Sequence, residues 1–197
     1  MPNLINGKSS NGNAIDFEAV FRRLNDELAQ KDESLELVCA GGYVMQLNGF
    51  RGTADIDAFY KSNVTVESII RKVGDEFGIN RHGEIWLNNS ISKMNPEPPD
   101  MYSEVVHQFS NLTVKAVGLT YLFGMKLTSA RGQDLKDLAD IVGNCKDLQP
   151  FELLSELVEM EFTIDISILL DAFEGARGME WLEAFYRENE AELRKYY

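Results

Sequence analysis

Apolar residues recur along the chain at two spacings, and the alternation between them marks out the elements. Phe17, Val20, Phe21, Leu24 and Leu28 fall at helical spacing behind Asp16, a natural N-cap, so a helix is predicted from there to about Gln30. Leu35 to Ala40 is an apolar run broken only by Glu36 and leading into Gly41-Gly42, the pattern of a buried strand that ends in a tight turn. Tyr43, Val44 and Leu47 return to helical spacing until Asn48-Gly49 stops them. A second strand is predicted from about Ala54 to Tyr60. A helix follows from Thr65 to about Phe77 on Val66, Ile69, Ile70 and Val73, with Gly78 at its C-cap.

The pattern weakens between Ile79 and Tyr102. Glu84 to Leu87 fits a strand edge, and Asn88 to Pro99 is a polar, proline-bearing loop that cannot hold a long helix. A loop of that length either serves the site, as a lid or acceptor-binding segment, or only connects across the surface. Tyr102 to Phe109 and Leu112 to Val117 alternate as two strands, with a hairpin across Ser110-Asn111. Leu119 to Ala130 is helical on Leu122, Phe123 and Leu127, and Gly132 marks the break before a further helix to about Val142. Three more helices are predicted after Pro150: Phe151 to Met160, Ile164 to about Phe173, and Met179 to Tyr197.

Strands interleaved with amphipathic helices make this an α/β chain, with a mixed β-sheet flanked by helices over residues 15–148. Residues 149–197 read as an acidic helical extension, and 1–14, rich in Asn, Gly and Ser, as a disordered N-terminus. At 197 residues the chain is long enough to bury a real core. No apolar run reaches membrane-spanning length and the N-terminus lacks the marks of a signal peptide, so no membrane partner is expected and the expected location is cytoplasmic. Cys39 and Cys145 have neither metal-ligand nor disulfide spacing and are read as free thiols. His82 and His107 give no support for a zinc or nucleophilic-triad site.

The net charge of −13 speaks against non-specific binding of double-stranded DNA, which depends on neutralising phosphates with Lys and Arg. The deficit is uneven. From Pro150 onward twelve acidic residues face four basic ones, a balance of −8, which leaves room for a local basic patch in the first part of the chain. The acidic stretch is either a solvated face or a surface for a basic partner.

The chemistry concentrates between Leu35 and Tyr60. In a strand, residues two apart share a face, so Asp55 and Asp57 are expected to point the same way while Ile56 and Ala58 take the other side. Two carboxylates this close repel by roughly 1 kcal/mol in water and more when partly buried, unless a cation sits between them. Mg²⁺ fits, since it is held by one or two carboxylates together with substrate phosphates. Gly41-Gly42 supplies the complement, a turn without Cβ atoms whose backbone N–H groups can approach a phosphate at the start of a helix.

Gly41-Gly42 followed by Arg51, Thr53, Asp55 and Asp57 in the run GFRGTADID resembles the signature of the DNA polymerase β-like nucleotidyltransferase superfamily. The resemblance is closest to its small bacterial members, which include the toxins of abortive-infection and toxin–antitoxin systems. It implies an NTP substrate, a Gly-Gly turn holding the triphosphate with help from Arg51 and Thr53, and Mg²⁺ or Mn²⁺ on Asp55 and Asp57. The run GMKLTSARGQDLKDLADI resembles the later motifs of the toxin-type branch. By that match Lys126 contacts the nucleotide phosphates, and Asp137 is the remaining acid, either a base or an orienter of the lysine. The competing reading of the same residues is a surface ion-pair ladder, with Lys136 and Asp140 four apart.

In one respect the chain departs from the pattern. Many members carry a third metal-binding carboxylate on the strand after the Asp-x-Asp hairpin, whereas the strand 112–117 offers Thr113 and Lys115, with Glu104 the nearest acid on the strand before it. Two functional readings follow. One is a nucleotidyltransferase acting on a hydroxyl or phosphate acceptor in a tRNA, a protein or a small molecule, with Asp57 or Asp137 taking the acceptor's proton. On the toxin-type form of that reading a cognate antitoxin is an expected partner. The other is a chain that keeps the fold and the pocket as a non-catalytic regulatory or protein-binding module.

Overall fold

A computed structural model describes residues 15–81, 83–93, 95–129 and 131–196. The expected disordered segment 1–14, His82, and the last residue of the expected helix at Ala130 lie outside the described residues. The chain forms two compact units, Met1–Gly118 and Leu119–Tyr197. This division falls earlier than the expected boundary at 148/149, because the two helices after Gly118 pack with the C-terminal helices.

The first unit contains α1 (Phe17–Gln30), β1 (Leu35–Cys39), α2 (Gly41–Leu47), β2 (Ile56–Phe59), α3 (Val64–Glu76), β3 (Leu87–Asn88), β4 (Ser103–Gln108) and β5 (Leu112–Val117). Asp16 caps α1 as its spacing suggested, accepting from the Ala19 N–H at 3.2 Å. The strands form a mixed five-stranded sheet in the order β3-β2-β1-β5-β4. β1 runs antiparallel to β2 and parallel to β5, β2 runs parallel to β3, and β4 closes a hairpin on β5.

Alternation along the strands sorts the two faces. Leu35, Leu37, Cys39, Ile56, Ala58, Leu112 and Val114 point into a core shared with the apolar stripes of α1 and α3. Asp57 and Lys115 therefore belong to the opposite face.

The span before β3 had no clear period in the sequence, and tertiary packing sets its path. Trp86 is 1% exposed, stacks on Phe17 at 6.2 Å between ring centroids, and donates from its indole nitrogen to the Ile70 carbonyl at 2.9 Å. Asn80 accepts from the Trp86 N–H at 3.2 Å and donates to the Arg71 carbonyl at 2.9 Å. Gly74 is what lets these groups close on α3, since a Cβ there would lie 2.2 Å from the Asn80 side-chain oxygen and 2.4 Å from the Trp86 ring. Thus anchored, the chain delivers Leu87 and Asn88 to the free edge of β2. Two short 3-10 turns, Ser90–Lys93 and Asp100–Tyr102, punctuate the polar loop that follows.

The second unit is helical: α4 (Leu119–Ser129), α5 (Gly132–Asn144), α6 (Pro150–Glu159), α7 (Ile166–Arg177), α8 (Met179–Glu188) and α9 (Glu190–Leu193). α5 packs on α7, and α4 packs on α5 and α6. Where a single helix was expected from Met179 to Tyr197, Asn189 divides it. Its side chain donates to the Phe185 carbonyl at 2.9 Å and so closes the end of α8. No helix among the described residues is long and apolar enough to cross a membrane.

Candidate active site

β1 ends at Cys39, and the chain turns at once into α2, so the two glycines form the first turn of that helix rather than a separate loop before it. Gly41 has φ +59, a backbone conformation that side chains other than glycine rarely adopt. The turn is also closed by contact. A Cβ on Gly41 would lie 2.9 Å from Asp57 Oδ2, and one on Gly42 would lie 2.5 Å from Thr53 Oγ1 and 3.4 Å from a terminal guanidinium nitrogen of Arg51. Glycine is thus required twice, and both times the group crowding it is a residue of the GFRGTADID run.

β2 begins later than its composition suggested. Only Ile56–Phe59 is strand, and Asp55 lies in the bend just before it. The cause is the early end of β1, which pairs with β2 only through Val38↔Phe59 and Cys39↔Ala58. Ile56 takes its backbone bond from the other side, donating to the Trp86 carbonyl at 2.6 Å. Asp57 stands level with the turn, its carbonyl accepting from the Ala40 N–H at 2.9 Å. Asp55 is exposed and Asp57 half-buried.

The segment that carries Thr53 and Asp55 is held by a residue the sequence reading passed over. Gln46 on α2 accepts the Thr53 N–H at 2.9 Å through its side-chain oxygen and donates to the Ile15 carbonyl at 3.0 Å through its nitrogen. The Thr53 hydroxyl lies 3.1 Å from both the carbonyl and the Oδ1 of Asp55, one of which takes its proton. Gln46 and Thr53 together set the path of the chain into β2.

β5, the strand on which the resemblance implies a third carboxylate, pairs with β1 and is therefore not a neighbour of β2. Its Lys115 is engaged with Glu36 at 2.9 Å and Asp100 at 3.1 Å. The true neighbour of Asp57 on its outer side is Asn88, its register partner across the parallel β2–β3 pair. Among the described residues no group of three or more His, Cys, Asp or Glu side chains is arranged to hold a metal by itself.

In the second unit Lys126 and Asp137 come together, and a residue absent from the sequence reading joins them. The Lys126 ammonium donates to Asp137 Oδ2 at 2.6 Å and to Asp134 Oδ1 at 2.8 Å. Asp134 also accepts from the Ser129 hydroxyl at 2.6 Å and the Arg131 guanidinium at 3.1 Å, and Asp137 accepts from the Gln133 amide at 2.9 Å. Lys126 is 5% exposed, Asp134 5% and Asp137 0%. The cluster is an interior network, which rules out the surface ladder for these residues, although Lys136 and Asp140 do lie on the exposed side of α5. Burial works to raise the Asp134 pKa, but the bonds from Lys126, Ser129 and Arg131 outweigh it and hold the carboxyl below its ordinary range.

Cys39 and Cys145 are free thiols, and burial pushes the pKa of each upward, away from nucleophilic use at neutral pH. His107 lies against Phe21 and Phe109, and its pKa is lowered chiefly by burial.

No curated protein and no solved structure matches the chain. One family model does, over residues 16–170, described as nucleotidyltransferase of unknown function (DUF6036). The matched span takes in the Gly-Gly turn, both aspartates of β2 and its approach, and the Lys126 cluster, and on that match the chain belongs to this nucleotidyltransferase family.

Proposed function

We propose that the chain is a metal-dependent nucleotidyltransferase that moves a nucleotidyl group from an NTP to a hydroxyl or phosphate acceptor. The observation that carries this is the Gly41-Gly42 turn, closed without room for a Cβ against Asp57 and Thr53. Such contact supports the reading, since a turn without Cβ atoms beside the Asp57 carboxylate suits a polyphosphate and its cation. The donors suit a hard divalent ion: Asp55 and Asp57 would hold Mg²⁺ or Mn²⁺, completed by phosphate oxygens of the substrate. When bound, the ion supplies neutralisation of phosphate charge.

The chain's own residues account for the rest. Gly41 and Gly42 receive the phosphates, with Arg51 and Thr53 at the rim of the turn. Asp57 is the better supported of the two candidate bases. Asp137 is fully buried, with one oxygen on Lys126 and the other on Gln133, which suits an orienter of the lysine and not a proton acceptor for an incoming substrate. In the transfer, an acceptor oxygen bonds to the α-phosphorus, the bond from that phosphorus to the bridging oxygen of pyrophosphate breaks, and the acceptor's proton passes to the base.

The finer form of the proposal is the toxin-type role, with tRNA or a protein as acceptor and a cognate antitoxin as partner. The test is transfer from α-labelled NTPs to three acceptor pools, a tRNA mixture, a protein mixture and small polyols, by wild type and by Asp55→Asn, Asp57→Asn. Metal-dependent labelling of one pool that the double variant abolishes is the expected result. Labelling by the double variant at the wild-type rate would overturn the assignment. Nucleotide binding without transfer to any pool would favour the non-catalytic module.

A further inference from the structure

The edge of the sheet beside Asp57 carries chemistry that the transfer reaction has not yet used. Ile56 pairs with Leu87 and Asp57 with Asn88 across β2–β3. In a parallel pair, register partners stand on the same face about 4.8 Å apart. The burial pattern agrees: Ile56 and Leu87 are in the core, while Asp57 and Asn88 are half-buried on the other face. Asn88 is thus the neighbour of Asp57 on that face, and it is neutral. Its side-chain oxygen is fixed by the Ser90 N–H, which donates to it at 3.1 Å, and by the Ser90 hydroxyl. That bond also settles the amide's orientation, since a backbone N–H can donate only to the oxygen.

We propose that Asn88 is the third member of the metal-and-nucleotide site, an uncharged position that leaves the ion with two protein carboxylates, so that the ion enters together with the nucleotide's phosphates rather than before them. This rests on the nucleotidyltransferase reading above. Divalent-ion affinity in oxygen sites follows the number of charged ligands, so two carboxylates alone hold a free ion weakly, whereas the triphosphate adds the missing charge. Replacing the amide by a carboxylate at this position makes three and creates a site for the free ion.

The experiment is Mn²⁺ binding by electron paramagnetic resonance on the full chain, with and without a non-hydrolysable NTP analogue. It compares wild type, Asn88→Asp, and Asn95→Asp as a control for added charge elsewhere in the same loop. Asn88→Asp keeps an oxygen to accept the Ser90 N–H, so the local turn is retained. Wild type is expected to bind Mn²⁺ tightly only with the analogue, and Asn88→Asp to bind free Mn²⁺ at least about tenfold tighter than wild type, with Asn95→Asp unchanged. Wild type that takes up Mn²⁺ with the analogue while Asn88→Asp leaves free-ion affinity unaltered overturns this inference and leaves the nucleotide site standing. An equal gain in Asn95→Asp overturns it as well, as a general charge effect. Wild type that binds no Mn²⁺ even with the analogue overturns both.

Discussion

Two pairs of aspartates lie in this chain, and the fold treats them in opposite ways. Asp134 and Asp137 on α5 are buried and closed upon Lys126, with Ser129, Arg131 and Gln133 supplying further donors. Asp55 is exposed and Asp57 half-buried, Asp55 is within reach of the Thr53 hydroxyl, and the neighbours pressed against the pair's segment are glycines. A buried charge needs its partners built in, because desolvation costs several kcal/mol per ion when they are missing. The first arrangement is an interior ion network, and the second is the one proposed to receive a cation and a polyphosphate.

Substitutions in the two pairs should have opposite consequences. Asp55→Asn with Asp57→Asn should lower nucleotidyl transfer on the order of a thousandfold or more while changing folding stability by less than about 1 kcal/mol in urea titration. Lys126→Met should act on stability first, because it takes the ammonium away from two buried carboxylates, with a loss of about 3–5 kcal/mol in the same titration. A Lys126→Met chain as stable as wild type would show that the cluster is not an interior network.

Gly42→Ala probes the contact between the two halves of the rim site. Its Cβ would meet the Thr53 side chain at 2.5 Å, so Thr53 must move, at about 1–3 kcal/mol in stability. Calorimetry should show weaker nucleotide binding in the same variant. Unchanged binding would remove Thr53 from the site.

The smallest effect is a pH dependence in the buried pair. Asp134 has its pKa depressed in the folded chain, against the pull of burial, by its bonds to Lys126, Ser129 and Arg131. The unfolded chain, with an ordinary Asp pKa of about 3.9, therefore binds the proton more readily. The stability contributed by Asp134 is full above that value and is lost as pH falls through the depressed one. Asp134→Asn should flatten the fall in thermal midpoint below about pH 4, and an identical acid profile would contradict the role given to Lys126.

The elements that were legible in the sequence are those whose local signals agreed with their packing. Asp16 capped the helix it precedes, and Gly41-Gly42 closed the turn that its lack of Cβ atoms suggested. The departures have physical causes. A two-residue strand has no period to read, and β3 exists because Gly74, Asn80 and Trp86 fix the chain before it. Composition alone therefore makes Asn88 part of a loop, and the resemblance points for a third carboxylate to β5, which pairs with β1. Asp134 had a signal that went unused. The stretch Tyr121 to Leu127 is buried on every side of α4, and a lysine within so apolar a helix needs acids brought to it. Asp134 stands in the first turn of α5 and Asp137 in the next.

Whether the Gly-Gly turn and the two aspartates of the β2 segment form one nucleotide site can be decided by titration calorimetry. Each of the four NTPs would be titrated with and without Mg²⁺ into wild type and the Asp55→Asn, Asp57→Asn variant. Binding of at least one NTP that requires both the metal and the aspartates is the expected result. Binding that is equally strong without the metal, or in the double variant, would contradict the account, as would the absence of binding under every condition.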